Sequence, residues 1–202
     1  NVLRRFVSPP VIALCGGGSQ GDESWLVPLS GNENLKKAHG TRLTKRAAVR
    51  AHASLHRNSL LLTGRDGCAL FSLASHSWDD QSVPSLPLPL FSHAAGCLPA
   101  DGSAMIVAGG SQRSGSHDNP DVDGTVWFET TRATHLWRPD DGCGWRSAAP
   151  MLTARDSFAG VVLGSGSFVA VGGCGADGSE LDTTEMYDPY QNRWVDLPDA
   201  QL

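Results

Sequence analysis

Short apolar runs separated by turn residues organise the whole chain. Near its C-terminal end, Phe158-Ala-Gly-Val-Val-Leu163, Phe168-Val-Ala-Val171, Thr184-Glu-Met-Tyr187 and Arg193-Trp-Val-Asp-Leu197 read as four short strands, the second running into Gly172-Gly173. The same order can be traced backwards. Met105-Ile-Val-Ala108 ends in Gly109-Gly110, and after an insertion come Ala133-Thr-His-Leu-Trp137, Pro139 and Trp145. Before that, Ser59-Leu-Leu-Leu62 ends near Gly64, followed by Cys68-Ala-Leu-Phe-Ser-Leu73 and Trp78. At the start, Val11-Ile-Ala-Leu14 runs into Gly16-Gly17.

Gly17 to Gly64 is 47 residues, Gly64 to Gly109 is 45, and Gly110 to Gly173, insertion included, is 63. A period near 50 is that of a four-stranded repeat unit. One such sheet cannot bury both of its faces, so the units must stack, with a Trp or Tyr from each filling the seam to its neighbour. The pattern predicts an all-β chain with no helix longer than about three turns. Its units span approximately 1–48 (incomplete), 49–87, 88–150 and 151–202.

Composition agrees. The 202 residues are 40% hydrophobic and 18% charged, as in a soluble globular protein, and the 23 glycines and 12 prolines are spread along the chain rather than pooled in a linker. No run of about 18 apolar residues exists, so no membrane partner is expected. The five cysteines, Cys15, Cys68, Cys97, Cys143 and Cys174, form no C-x-x-C pair and point to a reducing compartment. The cytoplasm is the expected address. The first residue is Asn1 rather than Met, which keeps organellar and nuclear addresses open.

Gly172-Gly173, then Glu185, Tyr187-Asp188-Pro189, Asn192, Trp194 and Leu197-Pro198, resemble the Kelch signature. Unit 88–150 keeps Gly109-Gly110, Pro139 and Trp145. Unit 49–87 keeps Gly64 and Trp78, and the first unit is recognisable only by Gly16 and Gly17. The resemblance implies a Kelch-type β-propeller of about four blades of four antiparallel strands. Kelch propellers resemble six-bladed rings of roughly 300 residues at this period. The ring is therefore expected to be completed by another chain or by residues outside this sequence, unless it closes as an unusually small circle.

Several motifs imitate chemistry. Gly16-x-Gly18-x-x-Gly21 follows a strand, but Asp22-Glu-Ser-Trp-Leu-Val is strand-like where a nucleotide-binding helix should begin. Asn119-Pro-Asp121-Val-Asp123-Gly124 resembles half a calcium loop, yet the closing acid falls at Glu129, one place early. His52 and His56 share a strand face without a third ligand at metal spacing. No G-x-S-x-G elbow occurs. The expectation is no catalytic residue, no metal and no cofactor.

Charge is unevenly distributed. Residues 1–65 hold ten Lys/Arg and three acids (+7), while residues 66–202 hold six Lys/Arg and 18 acids (−12). The candidate partner-binding residues are the basic Lys36, Lys37, Arg42, Lys45, Arg46 and Arg50 and the acidic Asp118, Asp121 and Asp123, expected at one end of the propeller. No aromatic residue lies between Lys36 and Arg57, so the basic stretch suits a protein or a nucleic-acid backbone and not base stacking. The resemblance implies a non-enzymatic protein-protein interaction module. The alternatives are a structural subunit of a large ribonucleoprotein or cytoskeletal assembly using residues 36–57, and, less favoured, a copper-oxidase-like Kelch enzyme. Only Tyr187 and Tyr190 could serve as tyrosine ligands in the last.

Overall fold

The structure is a computed structural model and describes residues 11–17, 23–28, 52–56, 59–64, 67–72, 77–79, 83–99, 104–114 and 127–198. Within these the chain is all-β. A first, two-stranded sheet pairs β1 (Val11–Gly17) with β2 (Glu23–Pro28). The second sheet is a four-stranded meander of β3 (His52–His56), β4 (Ser59–Gly64), β5 (Gly67–Ser72) and β6 (Ser77–Asp79).

The third sheet contains β7 (Ala94–Leu98), β8 (Ala104–Ala108), β11 (Thr134–Trp137) and β12 (Arg146–Ser147) in that spatial order. Between its second and third strands a separate hairpin is inserted, β9 (Ser111–Ser114) with β10 (Trp127–Thr130). The fourth sheet contains β14 (Ala159–Val162), β15 (Phe168–Val171), β17 (Thr184–Asp188) and β18 (Arg193–Leu197). A short pair, β13 (Arg155–Asp156) with β16 (Cys174–Gly175), ties the lead-in of this sheet to the turn after β15.

All these pairings are antiparallel, and the registers repeat. Leu60 opposes Phe71, which opposes Trp78; Met105 opposes Trp137; Phe168 opposes Tyr187, which opposes Trp194. The expected four-stranded repeat is present, and its aromatic slots coincide. The first four residues of the insertion expected at 111–124 pair as β9 with β10, which lies just beyond it. A 3-10 turn over Pro139–Asp141 ends at Gly142 in the left-handed region (φ 61), which turns the chain back into β12.

The core lies in the seams. Leu98, Ala104, Ile106 and Ala108 of the third sheet are buried against Phe158, Phe168, Ala170, Tyr187 and Trp194 of the fourth. Leu61 and Cys68 of the second sheet pack with Val83, Met105 and Trp137. Closeness depends on two glycines. A Cβ on Gly96 would lie 2.5 Å from Val162 Cγ2, and one on Gly160 would lie 2.6 Å from Ala94 Cβ. Small residues at the innermost strands let the sheets converge there while the aromatic rings hold them apart further out.

Trp194 shows how the outer seam is fixed. Its ring packs against Tyr187 and Phe168, at centroid distances of 5.4 and 6.2 Å. Its Nε1 donates to Thr134 Oγ1 at 3.1 Å and to the carbonyl of Ala149 at 3.0 Å, so the polar end of the indole is satisfied by the neighbouring sheet. Trp145 repeats this by donating to the Pro84 carbonyl at 2.9 Å, but it remains half-buried. Trp194→Ala is expected to cost about 3–5 kcal/mol, the range for emptying an aromatic core site, and Trp145→Ala less. Urea denaturation midpoints of the two variants check both the size and the order.

Candidate protein-interaction face

In an antiparallel meander the turns alternate between the two ends of the sheet. The connections between second and third strands therefore emerge at the same end as the links from one sheet to the next. At this end lie both double glycines, the β9–β10 hairpin and the lead-in segments around Phe91 and Arg155.

The double glycines are required by geometry. Gly109, Gly110, Gly172 and Gly173 have φ of 60, 96, 63 and 94°, the left-handed side that a Cβ disfavours. A Cβ on Gly110 would lie 2.6 Å from the Phe91 carbonyl oxygen, and one on Gly173 would lie 2.4 Å from that of Asp156. The backbone here is crowded by its own lead-in strand. Gly109 also meets Phe158 of the fourth sheet, whereas a Cβ on the corresponding Gly172 would meet only the Leu181 carbonyl, at 3.2 Å.

A buried ion pair locks the fourth sheet. Arg155 and Glu185 are fully buried, with Arg155 Nη2 donating to Glu185 Oε1 at 2.7 Å. Nη1 donates to the carbonyls of Gly172 and Thr183, both at 2.9 Å. Glu185 in turn accepts from the backbone N–H groups of Leu152 and Thr153, at 2.6 and 2.9 Å. With this much hydrogen bonding the pair clamps the lead-in, the double-glycine turn and β17 together.

The register places Leu90 and His135 at the corresponding positions of the third sheet, so the clamp is absent there. His135 lies on the same sheet face as Val107, which packs with Leu90 and Ala95. It is buried, and neither ring nitrogen has a hydrogen-bond partner among the described residues. Burial pulls its pKa below the ordinary 6.5, because the imidazolium would lose its hydration without gaining a partner.

The hairpin is anchored to both adjacent elements. Thr130 Oγ1 and Ser111 Oγ donate to Asp156 Oδ2, at 2.9 and 2.5 Å, joining its base to the lead-in of the fourth sheet. Two residues further out on the same face, Phe128 meets Phe91 edge to face, with ring centroids 5.6 Å apart. Phe128 is nevertheless 58% exposed.

The sequence-predicted Lys36, Lys37, Arg42, Lys45, Arg46, Arg50, Asp118, Asp121 and Asp123 lie outside the described residues, as does the calcium-like loop 119–124. Gly109, Gly110, Gly172 and Gly173 are at the hairpin end, and Trp145, Tyr187 and Trp194 are in or beside the seams. Gly16 and Gly17 end β1, Gly64 ends β4, and Trp78 sits in β6 opposite Phe71. Sequence reasoning missed Phe91, Phe128, Asp156 and the partnership of Arg155 with Glu185. Aligning the repeats on their double glycines would have set Arg155 against Leu90, but no spacing rule marks an isolated exposed phenylalanine.

Comparison with known proteins agrees with the repeat. Residues 157–201 match the Kelch motif family. The chain is 34% identical over 125 residues to human Kelch-like protein 34, a match covering 62% of this chain and 18% of that protein. It is 36% identical over 117 residues to human Kelch-like protein 33, covering 57% and 19%, and 27% identical over 125 residues to mouse Kelch-like protein 23, covering 60% and 20%. These alignments span about a fifth of each relative. Among solved structures, YjhT superposes with a TM-score of 0.67 at 14% identity, over 88% of this chain and 52% of that one.

Buried neutral His135 makes stability pH-dependent. Its folded pKa is lowered, so its contribution is complete above the unfolded value of 6.5 and is lost as pH falls from there towards the folded value, where only the unfolded chain takes up the proton. The expected result is a larger drop in melting temperature between pH 7.5 and 5.5 for the wild type than for His135→Met. Thermal melts at the two pH values measure the difference, and other titrating groups cancel between the variants.

Proposed function

We propose that this Kelch-repeat β-propeller chain is a non-enzymatic scaffold that receives a protein partner on the end carrying the β9–β10 hairpin. One observation carries the reading: a hairpin projects from that end, is pinned at its base by Asp156, and presents Phe128 to solvent. Binding residues are commonly placed on loops that a rigid scaffold positions, and this hairpin has that support. The Kelch-like relatives favour the same class of function. The reading rests on that surface.

A second surface supports ring completion. Val161, Leu163 and Val171 on the outer side of the fourth sheet are 49%, 40% and 43% exposed. At the matching positions of the third sheet, Gly96, Leu98 and Ala108 are buried beneath the fourth. This face takes a further blade, from the same polypeptide or from another chain, and it is distinct from the loop end.

Replacing Gln112–Glu129 by an Asn-Gly turn joins Ser111 to Thr130 through a tight hairpin and leaves both Asp156 contacts in place. The expected outcome is an unchanged melting temperature and at least a tenfold loss of affinity for the protein that copurifies with the native chain, read by surface plasmon resonance. Unchanged affinity would move the interface to the opposite end or to the outer sheet face.

A further inference from the structure

We infer that the Phe91–Phe128 pair and the acidic loops at the same end receive a basic protein segment, one that brings an apolar side chain flanked by lysine or arginine. This deepens the reading of the hairpin end as the partner face and rests on it. The aromatic part is preorganised. Phe91 is half-buried and its backbone is bonded in both directions to Ser111, with Phe91 N to Ser111 O and Ser111 N to Phe91 O both at 2.8 Å. Phe128 stands against it on an arm whose next same-face residue, Thr130, is tied to Asp156. The ring is thus fixed in place with more than half of its surface still in water, the arrangement of a contact residue whose ordering cost is met before binding.

Charge selects the occupant. Among the described residues at this end of the third and fourth sheets, setting aside the internal Arg155–Glu185 pair, the acids are Glu129, Asp156, Asp177, Glu180, Asp182 and Asp196 and the bases are Arg113 and Arg132, six against two. Among the described residues at the opposite end Arg138, Arg146 and Arg193 balance Asp140, Asp141 and Asp188, three against three. The acidic excess is therefore local to the face that carries Phe128. Ser179 donates to Asp177 from both its hydroxyl and its backbone N–H, at 2.6 and 3.0 Å, which holds that carboxyl below its usual range and keeps it ionised. Such a surface attracts a lysine- or arginine-bearing segment and repels acidic peptides and phosphate backbones. An exposed aromatic face adds attraction for a cation, and its apolar surface rewards burial of a neighbouring aliphatic side chain.

The test uses three fluorescein-labelled dodecapeptides, of lysine with leucine, lysine with serine, and glutamate with leucine, titrated by anisotropy into the whole chain. The expected result is saturable binding of the lysine–leucine peptide, weakened at least tenfold by Phe128→Ser and by the combined Asp177→Asn, Glu180→Gln and Asp182→Asn changes. The lysine–serine peptide should bind at least tenfold more weakly and the glutamate–leucine peptide not at all. Tyr190, 75% exposed at the opposite end, supplies the control: Tyr190→Ser should leave binding unchanged. Circular dichroism and melting temperature confirm that each surface variant is folded. Absence of saturable binding, insensitivity to Phe128→Ser, equal affinity for the lysine–serine peptide, or an equal loss with Tyr190→Ser overturns the inference. If the peptides fail while hairpin replacement still abolishes binding of the copurifying protein, the partner face stands and its basic specificity falls.

Discussion

Two sheets can share a core only if they come close at one edge and stay apart at the other. Here the approach is set by Gly96 and Gly160 on the innermost strands, where a Cβ would strike Val162, Ala94 or the ring of Phe168, and the separation by Tyr187 and Trp194 further out. That taper makes the sheets wedge-shaped partners, and wedges arranged this way turn around an axis. The turn places all second-to-third strand connections at one end of the assembly. The seam is thus upstream of the hairpin end: alter the taper, and the loops no longer converge.

The two well-described seams reach the same geometry by different polar means. The fourth sheet holds its lead-in strand with Arg155 and Glu185, both fully desolvated and both bonded to backbone partners besides each other. The third sheet uses Leu90 at the first position and leaves His135 at the second. A buried pair stripped of one partner costs about 3–5 kcal/mol, so a repeat lacking the arginine does better with a side chain that can be neutral, as histidine can. Backbone geometry is therefore common to the repeats while their polar locking, and with it their response to pH, is individual.

The hairpin draws on this rigidity. It belongs to the third sheet in sequence but is pinned to the fourth through Asp156, so it spans the seam and reports the relative position of two sheets. Phe128 can stay exposed because the ordering of its arm is supplied by Thr130, Ser111 and Phe91, and not by burial of its own ring. The outer face of the fourth sheet is exposed for a different reason. It repeats the positions that are covered one sheet earlier, which sets it apart from the hairpin end.

Much of the architecture was legible in the residues themselves. The four-strand order, the double glycines and the slots of Tyr187 and Trp194 are local and periodic, and periodicity survives without knowledge of contacts. Charge asymmetry was equally plain, although its most basic stretch lies outside the described residues. Other features depend on residues far apart in sequence meeting across a turn: Arg155 with Glu185, Asp156 with Ser111 and Thr130, Phe91 with Phe128. Each residue alone looks ordinary, and only the closing of the sheets decides which are paired, which is buried without a partner, and which is left facing water. The sequence by itself determined the repeat, because strand and turn preferences act over a few residues; the tertiary structure decided the face, because burial and pairing are properties of neighbours that only the fold brings together.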